Sequence, residues 1–271
     1  MVFHYLNKAL NFQDEGEGPA LVLLHGYPET NAIWDEFSKT LTKNFRLIRP
    51  DLPGLGDSEQ IAEIQSMEMM AVTVKELLDY LKIGECVMIG HSMGGYVTLA
   101  FAELFPEKLR GFGLFHSMAL EDTEEGKQNR DRTIELIRRN KTNFLNQFIP
   151  NLFAGHNREL YSKEVMMLKE TGGKASTSSL IALMEGMKLR KDRTEVLRNS
   201  RVPVLFILGG HDTRMPVEKI QPQTALPAIS QTLILGNAGH MGFFEEKEIT
   251  LKTISDFCSL CYSLSEANHS A

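Results

Sequence analysis

No stretch of this 271-residue chain approaches the ~18 consecutive apolar residues that a membrane-crossing helix needs, so a membrane partner is not expected. Its first residues, Met1 to Lys8, lack a basic start followed by an apolar run, so no secretory leader is expected and the expected location is the cytoplasm. Basic excess is missing as well. With 29 Lys and Arg against 35 Asp and Glu, the formal charge of −6 argues against a nucleic-acid surface, which needs clustered positive charge. Cysteine occurs three times, an odd count, with Cys86 inside an apolar run, and that excludes a disulfide framework. Cys258 and Cys261 are spaced C-x-x-C but sit in a helical-looking tail without a second ligand pair, so they are expected to be core thiols. No His, Cys and acid grouping has zinc spacing, and no loop has a phosphate-binding glycine pattern. Neither a metal nor a cofactor is expected. Internal repeats and low-complexity tracts are also absent.

Against these absences one short stretch stands out: Gly90-His91-Ser92-Met93-Gly94-Gly95. It follows the apolar run Cys86 to Ile89 and precedes Tyr96 to Ala102, which places Ser92 at a strand-to-helix junction. G-x-S-x-G in that context is a nucleophile elbow. A sharp turn holds the serine in a strained conformation, and Gly90 and Gly94 leave room for it, while Gly95 is expected to let the helix pack close to the strand. The helix N-terminus also aims unpaired N–H groups at any developing oxyanion.

Around this stretch, buried strands alternate with helices. Residues 1 to 19 alternate loosely and end in the turn cluster Asp14 to Pro19, which suits a hairpin at a sheet edge. Ala20 to Leu24 is a continuous apolar run ending in His25-Gly26-Tyr27-Pro28, and Phe45 to Pro50 leads to Asp51-Leu52-Pro53-Gly54-Leu55-Gly56-Asp57-Ser58. The spacing predicts a helix over Met69 to Leu81 and a strand over Gly111 to His116. Such alternation implies a mostly parallel α/β sheet whose site lies at the strand C-terminal ends.

From about Glu121 the texture changes to densely charged helix, then the apolar stripe Phe144, Leu145, Phe148, Ile149. Helical segments over Arg158 to Glu170 and Thr177 to Leu189 follow, separated by Thr171-Gly172-Gly173-Lys174-Ala175-Ser176. The strand pattern resumes at Val202, giving a core over 1–118 and 201–271 interrupted by a helical insertion over 119–200. An insertion there emerges at the edge where Ser92 must lie. Phe144, Phe148, Met166 and Met184 are its candidate substrate contacts.

Two more residues stand where a parallel sheet delivers side chains to that edge: Asp212 past one strand and His240 past the next. His240 is suited to take the Ser92 proton, and Asp212 to fix its tautomer. Asp122 is the rival acid. His25, His91 and His211 neighbour site residues and are expected to be structural, with His116 a core or pocket residue.

His25-Gly26-Tyr27-Pro28, the 51–58 loop, the Ser92 elbow, Asp212 with Pro216, and Gly239-His240 together resemble the α/β-hydrolase superfamily. The resemblance implies an eight-stranded-type sheet, a helical cap, and an oxyanion hole built from the backbone N–H groups of Tyr27 and Met93. The H-G-x-P loop is shared with epoxide hydrolases and dehalogenases, whose elbow carries an aspartate, whereas serine here implies an acyl-enzyme. Met187 to Thr194 resembles the branch with enol-lactonases, small carboxylesterases and cofactor-free haloperoxidases. The expected partner is therefore a small ester or lactone, with a homodimer left open. Carbon–carbon hydrolysis of a diketone-like substrate, or a triad-bearing receptor for a small ligand, are the alternatives.

Overall fold

The apolar run Ala20–Leu24 forms strand β3 and is buried along its whole length, because it has neighbours on both edges and helices on both faces. In the computed structural model, residues 1–269 are described, with side chains through 264. The other strands are β1 (Val2–Tyr5), β2 (Lys8–Glu15), β4 (Arg46–Pro50), β5 (Cys86–His91), β6 (Leu109–Phe115), β7 (Val204–Gly209) and β8 (Ser230–Leu235). Among the described residues they make one eight-stranded sheet in the order β1-β2-β4-β3-β5-β6-β7-β8. β2 pairs antiparallel with both β1 and β4, and the remaining neighbours are parallel.

This order contains the relationship that matters for function. From β3 the chain steps outward to β4, then returns to place β5 on the other side of β3. The loops after β3 and β5 therefore part in opposite directions and leave a crevice at the strand C-terminal ends. His25 to Glu29 occupy one side of it and Ser92 the other.

Helices α1 (Asp35–Leu41), α2 (Met67–Tyr80) and α3 (Met93–Leu104) connect these strands. α2 starts two residues before the spacing predicts, since the Ser66 side chain accepts from the Met69 N–H and caps it. The N-terminal hairpin turns at Leu6-Asn7, both with positive φ, rather than at the glycine cluster. Gly16 to Pro19 instead carries the chain from β2 to β3, two strands that are not neighbours.

Between β6 and β7 the chain leaves the sheet for α4 (Glu124–Phe148), α5 (Ser162–Lys174), α6 (Thr177–Lys188) and α7 (Thr194–Arg198). α4 breaks at Asn140 (φ −161°, ψ 92°), whose side chain accepts from the Asn143 N–H and starts the second half. The charged segment and the Phe144 stripe are thus two rods joined at a capped kink. α5 continues through Thr171-Gly172-Gly173, where a linker is expected. A Cβ on Gly172 would lie 3.0 Å from the Pro28 carbonyl oxygen, so a glycine lets α5 rest on the loop after β3.

α8 (Val217–Ile220), α9 (Gly242–Glu245) and α10 (Lys247–His269) complete the chain. Cys258 and Cys261 lie on α10 as free, buried thiols, and burial pushes the Cys261 thiol up to about 12. Such thiols pack; they do not react. Among the described residues no helix is long and apolar enough to cross a membrane. Positions 270 and 271, the end of the second core segment, lie outside the described residues.

Candidate active site

Ser92 has φ 51° and ψ −114°, a conformation that costs a non-glycine residue of order 1–3 kcal/mol and persists only where its surroundings enforce it. Here they do. Its N–H donates to the Phe115 carbonyl at 2.8 Å, and Ser117 Oγ donates to its carbonyl at 2.8 Å. A Cβ on Gly90 would come within 2.2 Å of the Gly94 carbonyl oxygen, and one on Gly94 within 2.6 Å of the Leu24 carbonyl oxygen. The close approach of α3 to β3 therefore falls at Gly94. Gly95, expected to let the helix pack close to its own strand, does so: a Cβ there would lie 3.1 Å from the Gly90 carbonyl oxygen of β5 and 2.4 Å from the Ser117 side chain.

His240 reaches the same place from the loop after β8. Its backbone is held on two sides, with its N–H donating to the Leu152 carbonyl at 2.7 Å and its carbonyl accepting from His91 Nε2 at 2.9 Å. Its Nδ1 lies 2.6 Å from Asp212 Oδ2, a short charge-assisted contact. Asp212 Oδ1 accepts from the backbone N–H groups of Arg214 and Met215 at 2.8 and 2.9 Å. Burial would raise the Asp212 pKa, but the facing His240 charge and the two imidazole contacts outweigh it and hold the carboxyl well below the usual range. Asp212 is therefore ionised and fully committed.

A third imidazole belongs to this cluster. His116 Nε2 accepts the Gly242 N–H at 3.2 Å, so its proton sits on Nδ1, which faces Asp212 Oδ2 at 3.3 Å in a bent contact. Burial pulls the His116 pKa down to about 4 and leaves it neutral. His116, Asp212 and His240 thus bring three potential ligand atoms within 4.8 Å, a grouping that sequence spacing does not reveal. Their arrangement fits protons better than a cation. Two ligands of one zinc ion stand roughly 3 Å or more apart, whereas 2.6 Å between Nδ1 and Oδ2 is a hydrogen bond.

On the other side of the crevice, Glu29 folds back so that Oε2 accepts the Gly26 N–H at 2.7 Å and meets His91 Nδ1 at 2.9 Å. Burial would lower the His91 pKa, but the Glu29 charge and hydrogen bond outweigh it and raise it. Both His91 nitrogens face acceptors, so the imidazolium satisfies both. His25 Nε2 accepts from Leu52 N–H at 2.9 Å and ties the loops after β3 and β4 together. His211 packs against the His156 ring, with the centroids 4.9 Å apart. Glu29 is the residue that sequence reasoning misses, because nothing in H-G-x-P-E signals that the acid turns back onto its own loop.

Tyr27 follows this anchor. Its backbone N–H has no acceptor among the described residues, and the Met93 N–H stands at the first position of α3, where no intrahelical partner exists. Ser92, His240 and Tyr27 line one cavity of about 240 Å³ together with Tyr96, Phe148, Leu152, Met184, Met187 and Met215. Of the four expected contacts, Phe148 and Met184 line it. Phe144 stands behind Phe148, ring to ring at 5.1 Å, and does not reach the cavity. Met166 is 70% exposed on α5 and does not line this cavity, because α5 turns Val165 and Leu168 inward. Asp122 also lines the cavity, yet its carboxylate is held by Arg130 and, at 2.7 Å, by Arg190, leaving none of it for His240. A larger groove of about 600 Å³, between α3 and α7, contains neither Ser92 nor His240.

The profile of the alpha/beta hydrolase fold matches residues 19–247. A curated relative, the pimeloyl-[acyl-carrier protein] methyl ester esterase of Nitrosomonas europaea, is 26% identical over 89% of this chain and 96% of its own length. A second, the dihydrolipoyllysine-residue acetyltransferase component of an acetoin cleaving system from Pseudomonas putida, is 30% identical over 88% of this chain, which spans 63% of that protein's length. Among solved structures, a thermophilic esterase from Thermogutta terrifontis, malate bound, superposes with a TM-score of 0.89 at 30% identity and 94% coverage of each chain. The enol-lactonase of Burkholderia xenovorans LB400 shares the fold at a TM-score of 0.89 and 22% identity, covering 96% of this chain and all of that one. The chain belongs to the α/β-hydrolase fold family.

Proposed function

We propose that this protein is a serine hydrolase that cleaves a small ester or lactone through Ser92, His240 and Asp212 by way of an acyl-enzyme. The observation that carries the reading is one cavity holding a strained elbow serine and a histidine whose Nδ1 is bound by a buried carboxylate at 2.6 Å. The Thermogutta terrifontis and Nitrosomonas europaea relatives are esterases, and the present chain spans nearly all of each.

The chemistry follows from the atoms available. Asp212 keeps the proton of neutral His240 on Nδ1, so Nε2 is the basic nitrogen that accepts the Ser92 hydroxyl proton as Oγ adds to the carbonyl carbon. The electron pair displaced from the carbonyl bond becomes an oxyanion, for which the Tyr27 and Met93 backbone N–H groups are the donors. Loss of one such donor costs ~10²–10³ in rate in serine hydrolases. The tetrahedral adduct collapses, His240 returns the proton to the departing oxygen, and an acyl group stays on Ser92. Water then repeats the sequence and regenerates the serine. A lactone opens by the same steps, with the departing hydroxyl still attached to the acyl group.

The helices between β6 and β7 act as a cap. Phe148, Met184 and Met187 supply its apolar lining, and Leu152 fixes the backbone of His240 from the cap side. The test is turnover of an ester and lactone panel across acyl lengths, with Ser92→Ala as control. Turnover of at least one ester or lactone, abolished in the alanine protein, is the expected result. Turnover that survives the substitution rejects the reading.

A further inference from the structure

We infer that the cavity beside Ser92 accepts an ester or lactone carrying a carboxylate, held by Arg214, Arg130 and the Tyr27 hydroxyl. This rests on the hydrolase reading above and narrows its substrate class.

The charge around the cavity runs against that of the chain. The protein carries a formal −6, yet Arg130 and Arg214 line this cavity, and Asp122 is the one acidic side chain lining it among the described residues. Asp122 is bound by Arg130 and also by Arg190, whose guanidinium covers the Tyr96 ring at 4.1 Å. One carboxylate thus serves two guanidiniums. Arg214 adds a third cation whose side chain is in no ion pair among the described residues; it lies over the Phe148 ring at 4.5 Å. Its backbone N–H, not its side chain, serves Asp212. The guanidinium is therefore left to the cavity, resting on an aromatic face that fixes its plane without neutralising it.

A second observation points to the same ligand. The Tyr27 hydroxyl is buried, on a residue of this lining, without a hydrogen-bond partner among the described residues, and the charge of Arg130 acts on it. A buried donor left unpaired forfeits its hydration with nothing in return, so a site that keeps one is built to meet an acceptor. A carboxylate supplies two acceptor oxygens and a negative charge, and so answers both the orphan hydroxyl and the excess of guanidinium over carboxylate in the lining. A neutral acyl chain would answer only Phe148 and the methionines. Because the cavity is about 240 Å³, the carboxylate and the scissile ester share a short chain.

The experiment measures binding without turnover. Calorimetric titration of the Ser92→Ala protein uses monomethyl glutarate, with the acid on the acyl side, and the acetyl ester of γ-hydroxybutyrate, with the acid on the alcohol side. Each is paired with its uncharged methyl ester. At least one acid is expected to bind roughly tenfold more tightly than its uncharged partner, with the advantage shrinking as salt rises. Adding Arg214→Gln should cut that advantage about five- to tenfold, whereas Arg214→Lys should keep most of it, with thermal melts confirming that both variants fold. No advantage for either acid, or an advantage indifferent to salt and to Arg214→Gln, overturns the inference. Failure of the hydrolase reading shows separately, as absent or Ser92-independent turnover by the wild-type protein.

Discussion

His91 Nε2 donates to the carbonyl oxygen of His240 at 2.9 Å, and through its other nitrogen His91 meets Glu29, whose carboxylate also receives the Gly26 N–H. One imidazolium thereby joins the loop after β3, the elbow after β5 and the histidine after β8. Three separate loops depend on it for their mutual spacing. Glu29→Gln keeps an acceptor for Gly26 but removes the charge that raises the His91 pKa. The expected result is a fall in kcat of about tenfold with KM nearly unchanged, since misplacing catalytic groups by a fraction of an ångström is felt in the transition state. Steady-state kinetics on any turned-over ester checks this, and unchanged kcat would assign the pair to packing alone.

The two acids past neighbouring strands separate cleanly by substitution. Asp212→Asn should lower kcat by about 10⁴, the scale set by loss of the correct tautomer in serine hydrolases. Asp122→Asn should act mainly on KM, because Asp122 holds Arg130 and Arg190 and makes no contact with His240. The reverse ranking in kcat would make Asp122 the acid.

Stability should fall on mild acidification. His116 has its folded pKa lowered to about 4 from 6.5, so between these values the unfolded chain binds the proton and the folded one does not. Its contribution is whole above pH 6.5 and is lost as pH falls toward 4, amounting to about 3 kcal/mol if the full shift is realised. His25, also depressed by burial, adds a loss of the same sign below its ordinary value, while the Asp212 carboxyl acts only at lower pH. His91, raised instead, contributes stability that is lost only as pH rises above its ordinary value. Urea melts at pH 7 and pH 5 should therefore differ less for His116→Gln than for wild type. An identical pH dependence in the two would show that His116 is not neutral in the folded protein.

Cap residues should sort by their place in the cavity. Phe148→Ala and Met184→Ala should shift chain-length preference by ~1–3 kcal/mol per methylene-sized change, and Met166→Ala should leave it unaltered. Relative kcat/KM across an acyl series measures this. A shift for Met166 equal to that for Phe148 would contradict the placement of α5.

Which parts of this site the sequence could disclose follows from the range of the forces involved. Strand β3 and the Ser92 elbow are written locally, as an apolar run and as glycines that the turn requires. Asp212 and His240 are legible because each stands a few residues past a strand that a parallel sheet must deliver to one edge. Met166 is misplaced by the same local reasoning. Its neighbours Val165 and Leu168 fix which face of α5 turns inward, and helical spacing alone does not say which stripe that is. Glu29 and His116 act through partners 62 and 126 residues away, a pairing that only the folded chain creates. The Gly-Gly step in α5 has the same origin, since it becomes helix to seat against Pro28.

The central claim is that Ser92 is the nucleophile. Intact-mass measurement after exposure to a fluorophosphonate, followed by peptide mapping, tests it most directly. The expected result is a single phosphonyl adduct on the peptide carrying Ser92, absent from Ser92→Ala and strongly slowed in His240→Ala, with both variants melting as folded proteins. An adduct forming on the alanine variant at the wild-type rate would contradict it.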